Sequence, residues 1–509
     1  MLVFETLLIL LLAAVVISVI AQRINVPYPT LLAMAGTLVA FVPDGPRLDP
    51  APELILALFV APVLLDAAYD TSLRDLRANW RPVFSLVLFA VGLTTAVVAL
   101  VARFIFPEMP WGAAIALGAL LAPPDAVAAL AVLSQVDPPH RLRKILEGES
   151  LLNDASSLLI YKLAVGAVAA GGFSAVSAVP TFAAVVLGSA VVGWLLARPV
   201  NWLINQIDHA PTSVILQFVN TFGIWLLAEQ LGLSAVVTIV VFGITIARGR
   251  GGDLPARLRV PSFAIWETVT FVLNALAFLL IGLQIGPIFG SLAPAQRWSF
   301  GMAALVMLVV VVAVRLVWVT IYAVSEGKAV AHPGETPKSP VLDAKGGLVI
   351  GWSGMRGIVT LAAAMALPTD FPYRDFIQLT AFIVVLGTLV IQGLTLKPLI
   401  AALRIPRDDG VESEINLARE KALKAVLAGF EDDPSPGVAR VREEYREILS
   451  RVTEGQDPHD MPHNELRRRA VASARGAIAD LRRSGAIGDD AYRQVEAELD
   501  LLDLSAHAS

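Results

Sequence analysis

The strongest constraint on this chain is a succession of apolar runs, each long enough to cross a bilayer, between Met1 and about Leu403. A helix advances only about 1.5 Å per residue, so it needs roughly 20 apolar residues to span the hydrocarbon core. Inside lipid the backbone has no water to bond to, so such runs must cross as helices. Charge supports the same reading: only 16% of the 509 residues are charged, against about 25% in an average soluble domain. Those charges crowd after Arg404. The expected fold is an all-α polytopic membrane protein over residues 1–403, followed by a charged helical tail over 404–509.

Thirteen candidate spans centre near residues 12, 35, 61, 94, 122, 157, 191, 221, 240, 273, 311, 357 and 388. The count drops to twelve if Leu231-Gly232-Leu233 does not separate two of them. Loop charges orient the chain. One side collects Arg23, Arg74, Arg77, Arg81, Arg141, Arg143, Lys144, Arg248, Arg250, Arg257, Arg259, Lys328, Lys338 and Lys345. The other has Arg47, Arg297 and Arg374. Positive residues stay cytoplasmic, which puts the N-terminus outside and the tail in the cytoplasm. Glu5 before the first apolar run, with no basic leader, reads as a retained span and not a cleaved signal.

Several classes are excluded. There is no cysteine, so no disulfide or thiolate metal site exists. His459 and His463 lie four apart, but Asp-Met-Pro between them breaks the helix a zinc pair would need. A net charge of -5 offers no basic surface for nucleic acid, and no cofactor motif is present.

Ionisable groups inside spans are the informative ones, since each costs roughly 2.5–3.5 kcal/mol at a helix centre on insertion scales. The sixth span opens with Glu147-Gly-Glu-Ser-Leu-Leu-Asn-Asp154. On a helix Glu149 stacks over Asn153, and Ser150 over Asp154, giving two polar stripes. A carboxylate as deep as Asp154 holds a proton or a small cation; the plainer reading is a polar network that joins helices. The fifth span contains Pro123 and Pro124, which should break it and leave Asp125 at the start of a half-helix. The twelfth carries glycines at 351, 354 and 357 around Arg356, a permanent cation for which Glu149 is the expected partner. Breaks seven spans apart run in opposite directions, the pattern of inverted repeats. Asp66 is deep enough to face a cavity, and Arg315 either braces the carboxylates or pairs structurally. Glu229, Glu267 and Asn274 read as helix-end or packing residues.

Three motifs together resemble one family. They are Pro-Pro-Asp-Ala-Val-Ala-Ala at 123–129, Ile-Leu-Glu-Gly-Glu-Ser-Leu-Leu-Asn-Asp-Ala at 145–155 and Gly-Met-Arg-Gly-Ile-Val-Thr-Leu-Ala-Ala-Ala at 354–364. In that order they resemble the bacterial sodium/proton antiporters and sodium/hydrogen exchangers over about the first 400 residues. The resemblance implies two discontinuous crossing helices and a homodimer whose six-helix core moves against a dimerisation domain. It implies a site in which Asp154, preceded by Asn153, binds cation and proton in turn, with Ser150 as a hydroxyl ligand of the sodium ion. Asp125 resembles the acid at the helix crossing, and Glu149 with Arg356 a structural ion pair. Pro124 stands where many members have threonine, and Asp66 where many have glutamate, which leaves the choice among sodium, lithium and potassium open.

The function expected is alternating-access exchange of a monovalent cation, sodium first, for a proton, with no enzymatic step. A single exchanging carboxylate predicts electroneutral transport. The setting is the bacterial inner membrane with its lipid, and the role pH and sodium homeostasis. Rival classes are a cation channel, a receptor signalling through its tail and a proton-coupled carrier of organic solutes. A continuous pore, a signalling motif and a large aromatic cavity would be their respective marks. The tail helices near 441–450 and 467–475 carry mixed charge and suit either regulation or a solvated appendage.

Overall fold

The computed structural model describes residues 2–42, 51–136, 138–170, 175–249, 255–329, 344–405, 410–430, 436–454, 456, 462–484, 486 and 489–507. Arg47, Arg250, Lys338, His332 and His459 lie outside the described residues. The chain forms two compact units, Met1–Arg407 and Asp408–Ser509.

Among its described residues the first unit is built of helices, with short non-helical connections and two interruptions described below. Its principal helices are α1 (Leu2–Arg23), α2 (Tyr28–Val39), α3 (Ala61–Asp70), α4 (Val91–Ile105), α5 (Trp111–Leu121), α6 (Ala126–Leu133), α7 (His140–Ala169) and α8 (Ala175–Ile204). They continue as α9 (Ala210–Gln230), α10 (Ala235–Gly249), α11 (Ala256–Leu283), α12 (Pro294–Ala329), α13 (Ala344–Trp352), α14 (Ile358–Met365) and α15 (Arg374–Leu403). Among the described residues, eight helices are long and apolar enough to cross a bilayer by length and composition. Large apolar side chains point outward from this unit: Phe104 is 86% exposed and Trp298 79%. A water-soluble protein would bury such residues; a surface of this kind fits lipid.

Local chemistry sets the boundaries. Helices α2, α5, α7 and α11 each take a proline as N-cap, in extended backbone outside the helix where its missing N–H forfeits no intrahelical bond. Between α9 and α10 the chain turns at Gly232, φ +69°. Leu233 N–H donates to Ala228 O (2.9 Å) and Gly232 N–H to Glu229 O (3.0 Å), a closed C-terminal cap. The Leu231-Gly232-Leu233 segment therefore does separate two helices. Helices α2 and α11 meet backbone to backbone. A Cβ on Gly282 would lie 2.3 Å from Ala33 O, and one on Gly36 2.2 Å from Leu279 O. Small residues at such a seam replace the hydrophobic drive that lipid cannot supply.

Two short helix pairs position the site. Between α5 and α6 the chain runs non-helically from Ala122 to Asp125, and between α13 and α14 from Ser353 to Gly357. Asp125 N–H donates to Met355 O at 2.6 Å, so the two unwound stretches touch. Helix α7 is fastened to both: Ser157 Oγ donates to Ala119 O at 2.6 Å and Tyr161 Oη to Ala363 O at 2.8 Å.

The second unit contains α16 (Gly410–Gly429), α17 (Pro436–Thr453), α18 (Pro462–Arg483) and α19 (Asp489–His507). Arg475 joins α18 to α19 through Asp500 (2.6 Å) and Asp503 (2.9 Å). Arg467 reaches Glu444 on α17 at 3.3 Å.

Candidate functional site

The non-helical stretches exist because their residues cannot sustain a helix. Pro123 and Pro124 lack the N–H groups that α5 would need to continue. The freed backbone groups are then satisfied by charged side chains of opposite sign to their partial charges. Asp125 caps α6, its Oδ1 accepting from Val127 N–H at 2.8 Å. A carboxylate is favoured at this positive helix end. Arg356 does the converse. Its Nε donates to Leu121 O (3.0 Å), Nη2 to Ala122 O (3.4 Å) and Nη1 to Gly354 O, and its own N–H donates to Thr388 Oγ1 (3.0 Å). A buried guanidinium thus gathers the carbonyls released where α5 ends and where the second stretch begins.

This corrects the expected ion pair. Glu149 pairs with Arg315, not Arg356. Arg315 Nη1 lies 2.5 Å from Glu149 Oε1 and Nη2 2.8 Å from Oε2, with Nη2 also 3.2 Å from Ile350 O. Both side chains are buried. The reason is the unwound backbone: its carbonyls already occupy the Arg356 donors, leaving Glu149 to the cation on α12. The three glycines make room for these partners. A Cβ on Gly351 would meet Leu316 at 3.0 Å, one on Gly354 would meet Arg315 Cδ at 2.3 Å, and one on Gly357 would lie 1.7 Å from Asp125 Oδ2. Gly357→Ala must displace the Asp125 carboxylate or the crossing itself. It is expected to remove most exchange activity in reconstituted vesicles, whereas Gly223→Ala, with open space at its Cβ, leaves the rate unchanged.

A cavity of about 420 Å³ reaches this crossing. Asp154, Ser150, Asp125 and Asp66 all line it, as do Pro123, Pro124 and Gly357–Thr360. Asp154 is 8% exposed, and close enough to Asp125 for their charges to interact. Among the described residues no group of three His, Cys, Asp or Glu converges as a resident metal site. The acids line the cavity together with the Ser150 hydroxyl and part of the unwound backbone, a set of hard oxygen donors.

Asn153 does not line the cavity. One helical residue turns it about 100° from Asp154, and its Nδ2 donates to Glu149 Oε1 at 3.1 Å. It belongs to the Arg315–Glu149 bracing behind the site. Arg315 likewise stands behind the cavity wall. Conversely, Tyr28, Thr270, Asn274 and Thr360 line the cavity, and none was singled out for the site from sequence. Asn274 carried the one available signal: an amide in an apolar helix, one turn from Thr270 and one from Phe278, which lines the cavity beside it.

A family model described as "Sodium/hydrogen exchanger, transmembrane" matches residues 7–402. A "Sodium, potassium, lithium and rubidium/H(+) antiporter" of Bacillus pumilus is 30% identical over 84% of this chain and 66% of its own length. An uncharacterised Na(+)/H(+) exchanger of Mycobacterium tuberculosis is 30% identical over 96% of this chain and 94% of its own. The fold is similar to that of the sodium proton antiporter MjNhaP1 from Methanocaldococcus jannaschii, with a TM-score of 0.62 at 16% identity over 79% of this chain and 99% of that one. The chain therefore belongs to the sodium/hydrogen exchanger family and is a cation/proton antiporter, a secondary transporter and not an enzyme.

Proposed function

We propose that Asp154 is the exchanging carboxylate and that it takes sodium, in preference to other monovalent cations, and one proton in turn. The observation that carries this reading is a single cavity lined by Asp154, Asp125, Asp66 and Ser150 together with Pro123, Pro124 and Gly357 of the two unwound stretches that touch. Ionised, Asp154 offers a hard anion to a cation that Ser150 and the unwound backbone complete with neutral oxygens. Protonated, it releases that cation. Sodium is favoured because relatives carry it in their names. The Bacillus relative, named for four alkali metals, keeps lithium and potassium as outcomes to test.

Alternating access draws support from a second cavity, of about 470 Å³, lined by Met365, Ala366 and Leu367 at the far end of α14. The first cavity begins at the near end, Gly357–Thr360. Between them Leu361–Ala364 are buried, so α14 separates two half-paths. A channel would join them.

The same proposal has the tail and the start of α7, with Arg143 and Lys144, in the cytoplasm, on the strength of the positively charged loops. It also includes a homodimer with its lipid in the bacterial inner membrane, on the strength of the family resemblance. The test is proton flux in vesicles given sodium, lithium and potassium salts separately. Sodium should collapse an imposed pH gradient at the lowest concentration and without net current. A current that reverses with membrane potential would overturn one-for-one exchange, and a lower effective concentration for potassium would overturn the preference.

A further inference from the structure

Four charged side chains stand in the cavity wall besides Asp154, Asp125 and Asp66: Arg143, Lys144 and Glu147 on α7, and Asp70 at the end of α3. Glu147 is held on two sides, with Oε1 2.8 Å from Arg143 Nε and Oε2 2.6 Å from Lys144 Nζ. Asp70 lies within charge range of all three. Arg143, Glu147, Ser150 and Asp154 follow one another at steps of four, three and four, which is one face of a helix. The seven residues from Glu147 to Asp154 correspond to about 10.5 Å along α7. A cation moving down this face meets Glu147 first and Asp154 last.

The two acids alone would give the mouth a charge of -2; Arg143 and Lys144 cancel it. The two cations are not equivalent. The Arg143 side chain is 57% exposed, where solvent screens it, whereas Lys144 is 21% exposed and sits inside the mouth. The Arg143 pair is exposed and adds little to helix stability, whereas the Lys144 pair lies in the cavity wall, where its charge bears on the cavity. An ammonium is also a compact point charge, closer in kind to a hydrated alkali cation than a guanidinium is.

We propose that Lys144 is a tethered competitor at the cavity mouth: its ammonium occupies the cation position on Glu147 and thereby sets the cation concentration at which exchange half-saturates. Glu147 is then the first carboxylate an incoming cation meets. This rests on the cavity being the cation path. Narrow clefts of one sign concentrate counter-ions, so a mouth without the Lys144 charge gathers cations more strongly.

The chain has no cysteine, so Lys144→Cys introduces its sole thiol, whose charge can be reset on the folded protein. In vesicles with the mouth outward, Lys144→Cys should half-saturate at roughly three- to tenfold lower sodium than wild type, at an unchanged maximal rate. Coupling an ammonium-bearing thiosulfonate should restore the wild-type value, and a sulfonate-bearing one should lower it further. Glu147→Gln should raise it by a similar factor. The differences should narrow as ionic strength rises with an impermeant organic salt, because the Debye length falls from about 10 Å at 0.1 M to about 3 Å at 1 M. Half-saturation independent of the charge at position 144, or a change in maximal rate alone, overturns the proposal while wild-type exchange leaves the cation path standing. Absence of cation-dependent flux in wild type overturns both.

Discussion

Asp154→Asn protein is expected to fold and insert normally and to lose cation-dependent proton flux down to the level of empty vesicles. The amide matches the carboxylate in shape but carries no charge for a cation and no proton to exchange. Its structural cost is small because Asp154 has no salt-bridge partner among the described residues, and removing a buried charge removes its desolvation cost. Thermal unfolding in detergent should therefore be unchanged or slightly later than wild type. Flux near the wild-type rate would remove Asp154 from the exchange step, and Asp125 would become the candidate, since it lines the same cavity.

The second large effect is on stability. Arg315→Leu leaves the Glu149 carboxylate buried with only the Asn153 amide as a partner. Breaking one side of a buried pair costs about 3–5 kcal/mol, mostly through the stranded charge. The Arg315→Leu/Glu149→Leu double variant should recover most of that loss, because two apolar side chains fill the space without an unpaired ion. Unfolding transitions of wild type, both singles and the double variant measure the coupling. A Glu149–Arg356 pair predicts the reverse ranking, with Arg315→Leu mild. In the geometry found, Arg356→Leu acts by another route, stranding the carbonyls of Leu121, Ala122 and Gly354 at about 1–3 kcal/mol each.

Much of the site was legible in the chain because it rests on local rules. Two consecutive prolines in the middle of an apolar run interrupt the helix there, and Asp125 directly after Pro123-Pro124 caps the next one. Glycines at 351, 354 and 357 could be read as a weak, closely approached segment. Helical spacing put Ser150 and Asp154 on one stripe, and both line the cavity. The same spacing placed Asn153 on the neighbouring stripe with Glu149, where its amide is found. Its place at the ion site came only from the family resemblance, and on a helix the residue next to Asp154 lies on a different face.

Apolar run length and helical period determined that this chain is an all-helical membrane protein, where its helices break and which acids enter the membrane. Those are properties of neighbours in sequence: hydrogen bonds that proline cannot make, and faces that repeat every 3.6 residues. Partner choice was left to the tertiary structure. Two arginines more than forty residues apart competed for one glutamate, and nothing local distinguished them. The unwound backbone decided it by offering Arg356 the carbonyls of Leu121 and Ala122, more than 230 positions away. The approach of α2 and α11 likewise carried Tyr28 and Asn274 to the cavity, because long-range packing, and not sequence distance, decides which side chains share a wall.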